Sequence, residues 1–360
     1  MNKEQLLIKL VDRIKNSKLE NFTIMEVCGT HTKSISKLGI RELFYPKIKL
    51  LSGPGCPVCV TPEGYIDAAI NILNRKDVIL TTFGDLMKVK GSIESLIEQR
   101  EKRKNINIVY SPLDAIKIAQ KNRNFQVVFL AVGFETTAPT IGVAIKIARE
   151  NNIKNFSVLS GLKVMRPVLH KILKNEKNKV QGIICPGHVA VITGSEYFRF
   201  ITEEYNVPAV VAGFEGLDII SAIYFLIAQK DNEKKQFKNL YKTCVTPYGN
   251  VLASRIMDEV FSTGNSIWRG IGQVHGSGLY LNHKYEEFDA LKKFNLVIQE
   301  KSNESCVCSQ IILGQKIPYE CPFFAKRCTP ESPVGPCMVS SEGSCCVYYK
   351  YGGKYYGRNY

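Results

Sequence analysis

Apolar and polar positions along this chain follow two alternating patterns. Short runs rich in Val, Ile, Leu and Phe are followed by longer stretches in which apolar residues return every three or four positions. The first pattern reads as buried strands and the second as helices packed on them. Residues 3–16 begin with a helix whose apolar face carries Leu6, Leu7, Leu10, Val11 and Ile14. Strands are predicted at Phe22–Val27, Ile48–Leu51, Val78–Thr82 and Ile106–Tyr110. Helices are predicted over Pro62–Leu73, with Thr61 as cap, and over Pro112–Lys121, capped by Ser111. The alternation then restarts, with strands at Gln126–Val132, Phe156–Leu159, Val180–Ile184 and Ala209–Ala212. The helices between them run to about Arg149, from Pro167, and to Ala228.

Strands alternating with helices specify parallel sheets with helices on both faces. Two runs of about four strands each predict two similar α/β domains, 1–122 and 123–236, joined at Lys121-Asn-Arg-Asn124. After residue 236 the pattern changes. Two helices are expected near 232–242 and 249–262, followed by turns rich in Gly and Pro and a cluster of cysteines. Residues 237–360 therefore read as a smaller third domain, whose aromatic tail from Tyr348 to Tyr360 packs across another domain or stays disordered.

In open α/β sheets ligands bind at the loops leaving the carboxyl ends of strands. The polar motifs of this chain fall on such loops. Ser52-Gly-Pro-Gly-Cys-Pro-Val-Cys59 holds a Cys-x-x-Cys pair between a strand and a helix. Cys56 and Cys59 are spaced to form a disulfide or to share a metal. A nearby helix N-terminus would favour redox chemistry by lowering a thiol pKa. The plainer reading is a turn holding two buried cysteines. Cys28-Gly-Thr-His31 can grip a metal through a thiolate and an imidazole, or be a buried cysteine beside a capping Thr. Glu26, Asp85, Glu135 and Glu215 end or follow strands, as ligand-orienting groups or helix caps. The near-repeat of Val132-Gly-Phe-Glu135 and Ala212-Gly-Phe-Glu215 suggests the same device on two strands of one sheet. His188 could donate to an anion or simply start a helix. Cys185 reads as core, and His275 has no evident partner.

Twelve cysteines give the chemistry more weight. No apolar run approaches the roughly 18 residues of a membrane span, and the start of the chain has no signal-peptide core. A cytoplasmic protein is expected, where disulfide scaffolding is rare and metal binding or catalysis is favoured. Seven cysteines lie between Cys306 and Cys346. Cys321-x6-Cys328-x8-Cys337-x7-Cys345 on irregular loops can enclose a [4Fe–4S] cluster, although zinc or unligated thiols remain open readings. The one-residue gap of Cys306-Val-Cys308 makes a poor chelate, so the pair reads as core or surface thiols. Cys346, beside Cys345, is a poor partner in the same site. The net charge of +15 is spread among Glu and Asn rather than gathered in one run. That pattern argues against nucleic-acid function and leaves a general attraction to acidic partners.

Five of these motifs, Glu26-Val-Cys-Gly-Thr-His-Thr32, Ser52-Gly-Pro-Gly-Cys-Pro-Val-Cys-Val-Thr-Pro62, Phe83-Gly-Asp-Leu-Met87, Val132-Gly-Phe-Glu-Thr-Thr-Ala-Pro139 and Pro186-Gly-His-Val189, resemble those of the HypD family of hydrogenase maturation proteins. So does the ending from Cys328 to Cys345, and the likeness spans about residues 20–351. The resemblance implies two similar α/β domains plus a third bearing a [4Fe–4S] cluster. It implies a scaffold that, with a small HypC-type partner, builds the Fe(CN)2CO part of a [NiFe]-hydrogenase site. Cyanide would come from a HypE-type donor, and the hydrogenase large subunit would be served indirectly. Carried over, Cys28 would ligate the iron with His31 as neighbour or ligand, and Cys56 and Cys59 would be redox thiols. Cys321, Cys328, Cys337 and Cys345 would hold the cluster. Lys90 and Cys346 depart from the family pattern, the first at a turn and the second beside the fourth cluster ligand. Two rival readings stay open: a thiol–disulfide reductase driven by the cluster, which would need neither Cys28 nor His31, and a pure binding scaffold with an inert cluster, which would tolerate Cys56→Ser and Cys59→Ser.

Overall fold

The computed structural model describes residues 2–102, 104–175, 178–299 and 306–352. Its first part runs α1 (Lys3–Lys15), β1 (Phe22–Glu26), α2 (Gly29–Lys37), α3 (Ile40–Phe44), β2 (Ile48–Ser52) and α4 (Glu63–Ile72). It continues through β3 (Val78–Thr82), α5 (Leu96–Glu101), β4 (Ile106–Ile108) and α6 (Pro112–Lys121). Then come β5 (Gln126–Gly133), α7 (Ala138–Glu150), β6 (Phe156–Leu162) and α8 (Met165–Leu173). After them follow β7 (Gly182–Cys185), α9 (Gly187–Thr193), α10 (Phe200–Tyr205), β8 (Ala209–Val211), α11 (Gly216–Ile227) and β9 (Phe237–Asn239). Helix α12 (Val251–Val260) leads into a hairpin of β10 (Phe261–Trp268) and β11 (Gly272–Leu281). The last helices are α13 (Ala290–Lys293), α14 (Cys308–Ile312), α15 (Pro336–Val339) and α16 (Ser344–Tyr351).

Two parallel sheets carry the fold, as the alternation predicts. One has the order β2-β1-β7-β8-β9 and the other β4-β3-β5-β6. Helices on both faces bury these strands, so the strands read as unbroken apolar runs. β5, buried along all but its first residue, is the clearest case. The buried Leu10 and Ile14 of α1 pack with Ile219, Ile223 and Leu226 of α11 beside β1.

The strands are shared between the sheets in a way that chain order does not reveal. β3 pairs with β5, and β1 pairs with β7, so each sheet takes strands from both sides of residue 122. The two Gly-Phe-Glu turns consequently leave different sheets, the first after β5 and the second after β8. Residues 232–242 do not form a helix. Phe237–Asn239 is β9, an edge strand parallel to β8. The other helix expected here is present as α12, capped by the Asn250 side chain on Ala253 N–H. The glycine-rich stretch after it forms the antiparallel β10–β11 hairpin. Thr61 does not cap α4: its hydroxyl donates to Pro57 O, and Pro62 takes the cap position. Tyr348–Tyr351 of the aromatic tail belong to α16, with the Arg41 guanidinium 4.6 Å from the Tyr348 ring centre. Residues 353–360 of that tail lie outside the described residues. Among the described residues no helix is long and apolar enough to cross a membrane.

Register decides where the loops emerge. Glu26 is level with Ser52 on one side and with Ile184 on the other, and Cys185 is level with Val211. The loops that begin at Val27, Gly53, Pro186 and Ala212 therefore leave one edge of the five-stranded sheet.

Candidate functional site

The Cys28 loop and the Cys-x-x-Cys loop are built against each other. Gly53 N–H donates to Glu26 O (2.7 Å) and Gly29 N–H donates to Gly55 O (3.1 Å). A side chain on Gly55 would overlap the Cys28 backbone nitrogen and Cα. Glycine at 55 is thus required by close approach. Cys56 and Cys59 are joined as a disulfide with their Cα atoms 5.3 Å apart, and both are buried.

Cys28 takes the N-cap position of α2. Burial pushes its thiol up to about 11, outweighing the downward pull of the His31 and Thr30 backbone N–H groups; the Glu342 carboxylate adds to the rise. Cys28 is therefore a protonated thiol at neutral pH, and a metal ion binding there must displace the proton. Thr32 does not cap the helix, since its hydroxyl donates to Cys28 O (3.3 Å).

His31 is fully buried, and burial lowers its pKa to about 4. The ring is neutral, and its Nε2–H donates to Gly213 O (2.9 Å). That leaves Nδ1 as a bare acceptor, buried and without a hydrogen-bond partner among the described residues. An unpartnered buried imidazole nitrogen one helical turn from a thiol fits a soft metal ion. Phe214 lies against His31, ring centres 4.7 Å apart, and His188 stacks on Phe214 at 4.2 Å. The loops after β7 and β8 thus close this side of the Cys28 loop.

The cysteine-rich segment covers the same edge. Thr30 Oγ1 donates to Glu342 Oε1 (2.7 Å), and the Glu342 side chain lies over Gly29. Cys59 Sγ is 3.9 Å from Pro336 O, beside Cys337. Cys306, Cys308, Cys321, Cys328 and Cys345 line one space of about 10 Å3, walled by Ile311, Phe323, Phe324 and Met338. Gly335 passes so close that an added Cβ would lie 2.5 Å from Cys308 Sγ and 2.7 Å from Cys306 Sγ. Cys306 Sγ and Cys308 Sγ are 3.0 Å apart. Cys337 is buried but does not line this space, although its charge would act on Cys345. Hydrogen bonding to Cys308 and burial push Cys306 and Cys345 up, and burial pushes Cys328 up. Such thiols resist ionising together unless cations neutralise them, which is the chemistry of a soft multi-metal centre. Among the described residues no three His, Cys, Asp or Glu side chains are set around a single ion.

The remaining candidates separate. Glu26 is buried, accepting from Ser52 Oγ (2.6 Å) with Arg41 3.5 Å away. Glu215 caps α11 together with Asp218. Glu135 does not cap α7, the helix that follows it in the chain; it accepts from Met165 N–H (2.7 Å), the first amide of α8, and from Tyr197 O–H (2.9 Å), tying the end of β5 to the start of α8. Asp85 is exposed on the four-stranded sheet's side. Cys185 is core, as expected. His275 does have a partner, Asn265 Oδ1 at 3.2 Å from its Nδ1. Sequence reasoning missed Phe214 and Glu342, which act only through contacts distant in the chain. It also set aside Cys306 and Cys308, for which no spacing rule gave a signal.

Fold and site together define a parallel α/β protein with a buried thiol and a disulfide at the carboxyl edge of one sheet, beneath a cysteine-rich segment. The profile of the family described as HypD, hydrogenase formation hypA family, matches residues 5–352. A chain of Methanocaldococcus jannaschii named for hydrogenase expression and formation is 41% identical over 354 residues, 98% of each chain. Hydrogenase maturation factors HypD of Escherichia coli and Rhodobacter capsulatus are each 38% identical. The E. coli match covers 91% of this chain and 88% of the relative, and the R. capsulatus match 96% and 94%. The chain belongs to the HypD family of hydrogenase maturation factors.

Proposed function

We propose that this chain is a scaffold on which the Fe(CN)2CO unit of a [NiFe]-hydrogenase is assembled, together with a HypC-type partner and a HypE-type cyanide donor. The observation that carries this reading is the convergence of Cys28, the unpartnered Nδ1 of His31 and the Cys56–Cys59 disulfide at one sheet edge. Iron enters as cargo. Cys28 loses its proton to become a thiolate donor, and His31 offers a neutral nitrogen. Phe214 and Glu342 would flank the bound iron, with the exposed His188 stacked outside Phe214. Reduction of the Cys56–Cys59 disulfide takes two electrons and two protons and yields two thiols. That change lies against the Cys28 backbone, through Gly55.

The donor chemistry of the cysteine-rich space fits a [4Fe–4S] cluster. Cys321, Cys328 and Cys345 would hold it, with Cys337 as the fourth thiolate and Cys306 and Cys308 lining the same space. A cluster bound there would supply single electrons.

The closed disulfide also suits a rival reading, a cluster-driven thiol–disulfide reductase. Cys28→Ala separates the two. On the scaffold reading it abolishes hydrogenase maturation in cells lacking their own factor and leaves the [4Fe–4S] absorbance intact. Maturation that survives the substitution would favour the reductase.

A further inference from the structure

The net charge of +15 has no part in the site described above. Some of it gathers in one place. The outer face of α8 and the turn of the β10–β11 hairpin enclose an open groove of about 970 Å3. Arg166, Lys171 and Lys174 line it, and Glu204 is its single carboxylate among the described residues. At Asn175 and Leu313 the groove adjoins a second cavity of about 320 Å3, which adds Lys49 and Lys179 and no acid among the described residues. Among the described residues the channel therefore carries five cations against one carboxylate, Glu204, which lies 3.8 Å from Arg166.

Its walls are fixed by contacts of their own. Lys171 Nζ donates to Ile271 O (3.0 Å) and Gln273 O (2.8 Å), holding the hairpin turn against α8. Arg166 lies over the Phe200 ring at 4.7 Å. The lining between the charges is apolar, from Pro167, Ile271, Val274 and Leu313. Single-stranded nucleic acid needs open aromatic faces on which bases stack. Among the described residues no Phe, Tyr or Trp lines the groove, and the nearby Phe200 is buried beneath Arg166 and His170. An elongated channel of cations with apolar contacts instead matches a chain whose acidic residues are interrupted by apolar ones.

We propose that this groove binds an acidic, partly apolar segment of a partner polypeptide. Thr23 and Lys49, which line its inner end, lie near the amino ends of β1 and β2, whereas Cys28 and the disulfide sit at the carboxyl ends. Groove and metal site can therefore be occupied at the same time, and the proposal stands independently of the metal-site reading. Attraction by the cationic channel would also speed encounter with the partner.

The test uses the full-length protein and a short fluorescein-labelled peptide of Glu interspersed with Leu, followed by anisotropy at about 0.15 M salt. The double variant Lys174→Glu, Lys179→Glu should weaken binding about tenfold or more. The double variant Lys76→Glu, Lys121→Glu makes the same change in net charge away from the groove and should bind as the parent does. Matching thermal midpoints for the two variants secure their folding. Three results would overturn the proposal. One is no binding by the parent protein. Another is an equal loss in both double variants, which would reduce the effect to net charge. The third is tighter binding of a labelled uridine oligomer that is lost with the groove variant, which would make the surface one for nucleic acid.

Discussion

Gly55 shows how a single residue sets the site. Two glycines beside two prolines suggest backbone angles closed to other residues, yet neither Gly53 nor Gly55 has a positive φ. What glycine provides here is proximity, because the space of its missing side chain is filled by the backbone of Cys28. A methyl group there would push apart the two loops that carry the thiols. Gly55→Ala should therefore destabilise the fold by about 1–3 kcal/mol, the usual cost of overpacking, measured as a lower midpoint of chemical denaturation. An unchanged midpoint would show that the loops can separate without cost. The motif residues Cys28, His31, Cys56 and Cys59 were legible because each group lies within a few positions of chain. The reasons for their behaviour were not. Burial, which no spacing reveals, raises the Cys28 thiol to about 11 and lowers the His31 imidazole to about 4.

At the scale of elements, the junction of α12 with α7 and the hairpin illustrates what periodicity can and cannot supply. The helix expected near 249–262 is present as Val251–Val260, and the structure adds the Asn250 side chain as its cap. The strand at Phe237–Asn239 was not legible, because a short, partly exposed edge strand lacks the apolar run that marks buried strands. Near the end of α12, Glu259 accepts from Lys146 Nζ (2.5 Å) on α7 and from Tyr285 O–H (2.6 Å) beyond the hairpin. The bond from Lys146, then that from Tyr285, hold its carboxyl down at about 2, against an ordinary 4.5. A depressed carboxyl stabilises the fold fully above its unfolded value and loses that contribution as pH falls through its folded value. The stability of the parent protein should thus decline between about pH 4.5 and 2 more steeply than that of Glu259→Gln, as followed by thermal midpoints. Parallel declines would show that Glu259 contributes nothing through this network.

For the whole molecule, the fold class was legible and the assignment of strands to sheets was not. Buried parallel strands look alike, and nothing local tells β3 to pair with β5 while β2 stays with β1. That exchange matters for function, since it brings the loops after β1, β2, β7 and β8 to one edge and sends those after β3 and β5 to the other sheet. The covering role of the cysteine-rich segment was hidden for the same reason. Its contact with the site, Glu342 on Thr30, spans more than three hundred residues of chain. The central claim is that this edge holds an iron carrying cyanide and carbonyl, with Cys28 as its thiolate. Its most direct test is an infrared spectrum of the anaerobically purified protein, co-expressed with a HypC-type partner, in the window where protein is nearly silent. The account predicts cyanide and carbonyl bands in the parent protein and none in Cys28→Ala, with equal [4Fe–4S] absorbance in both. Bands that persist unchanged in Cys28→Ala would contradict it.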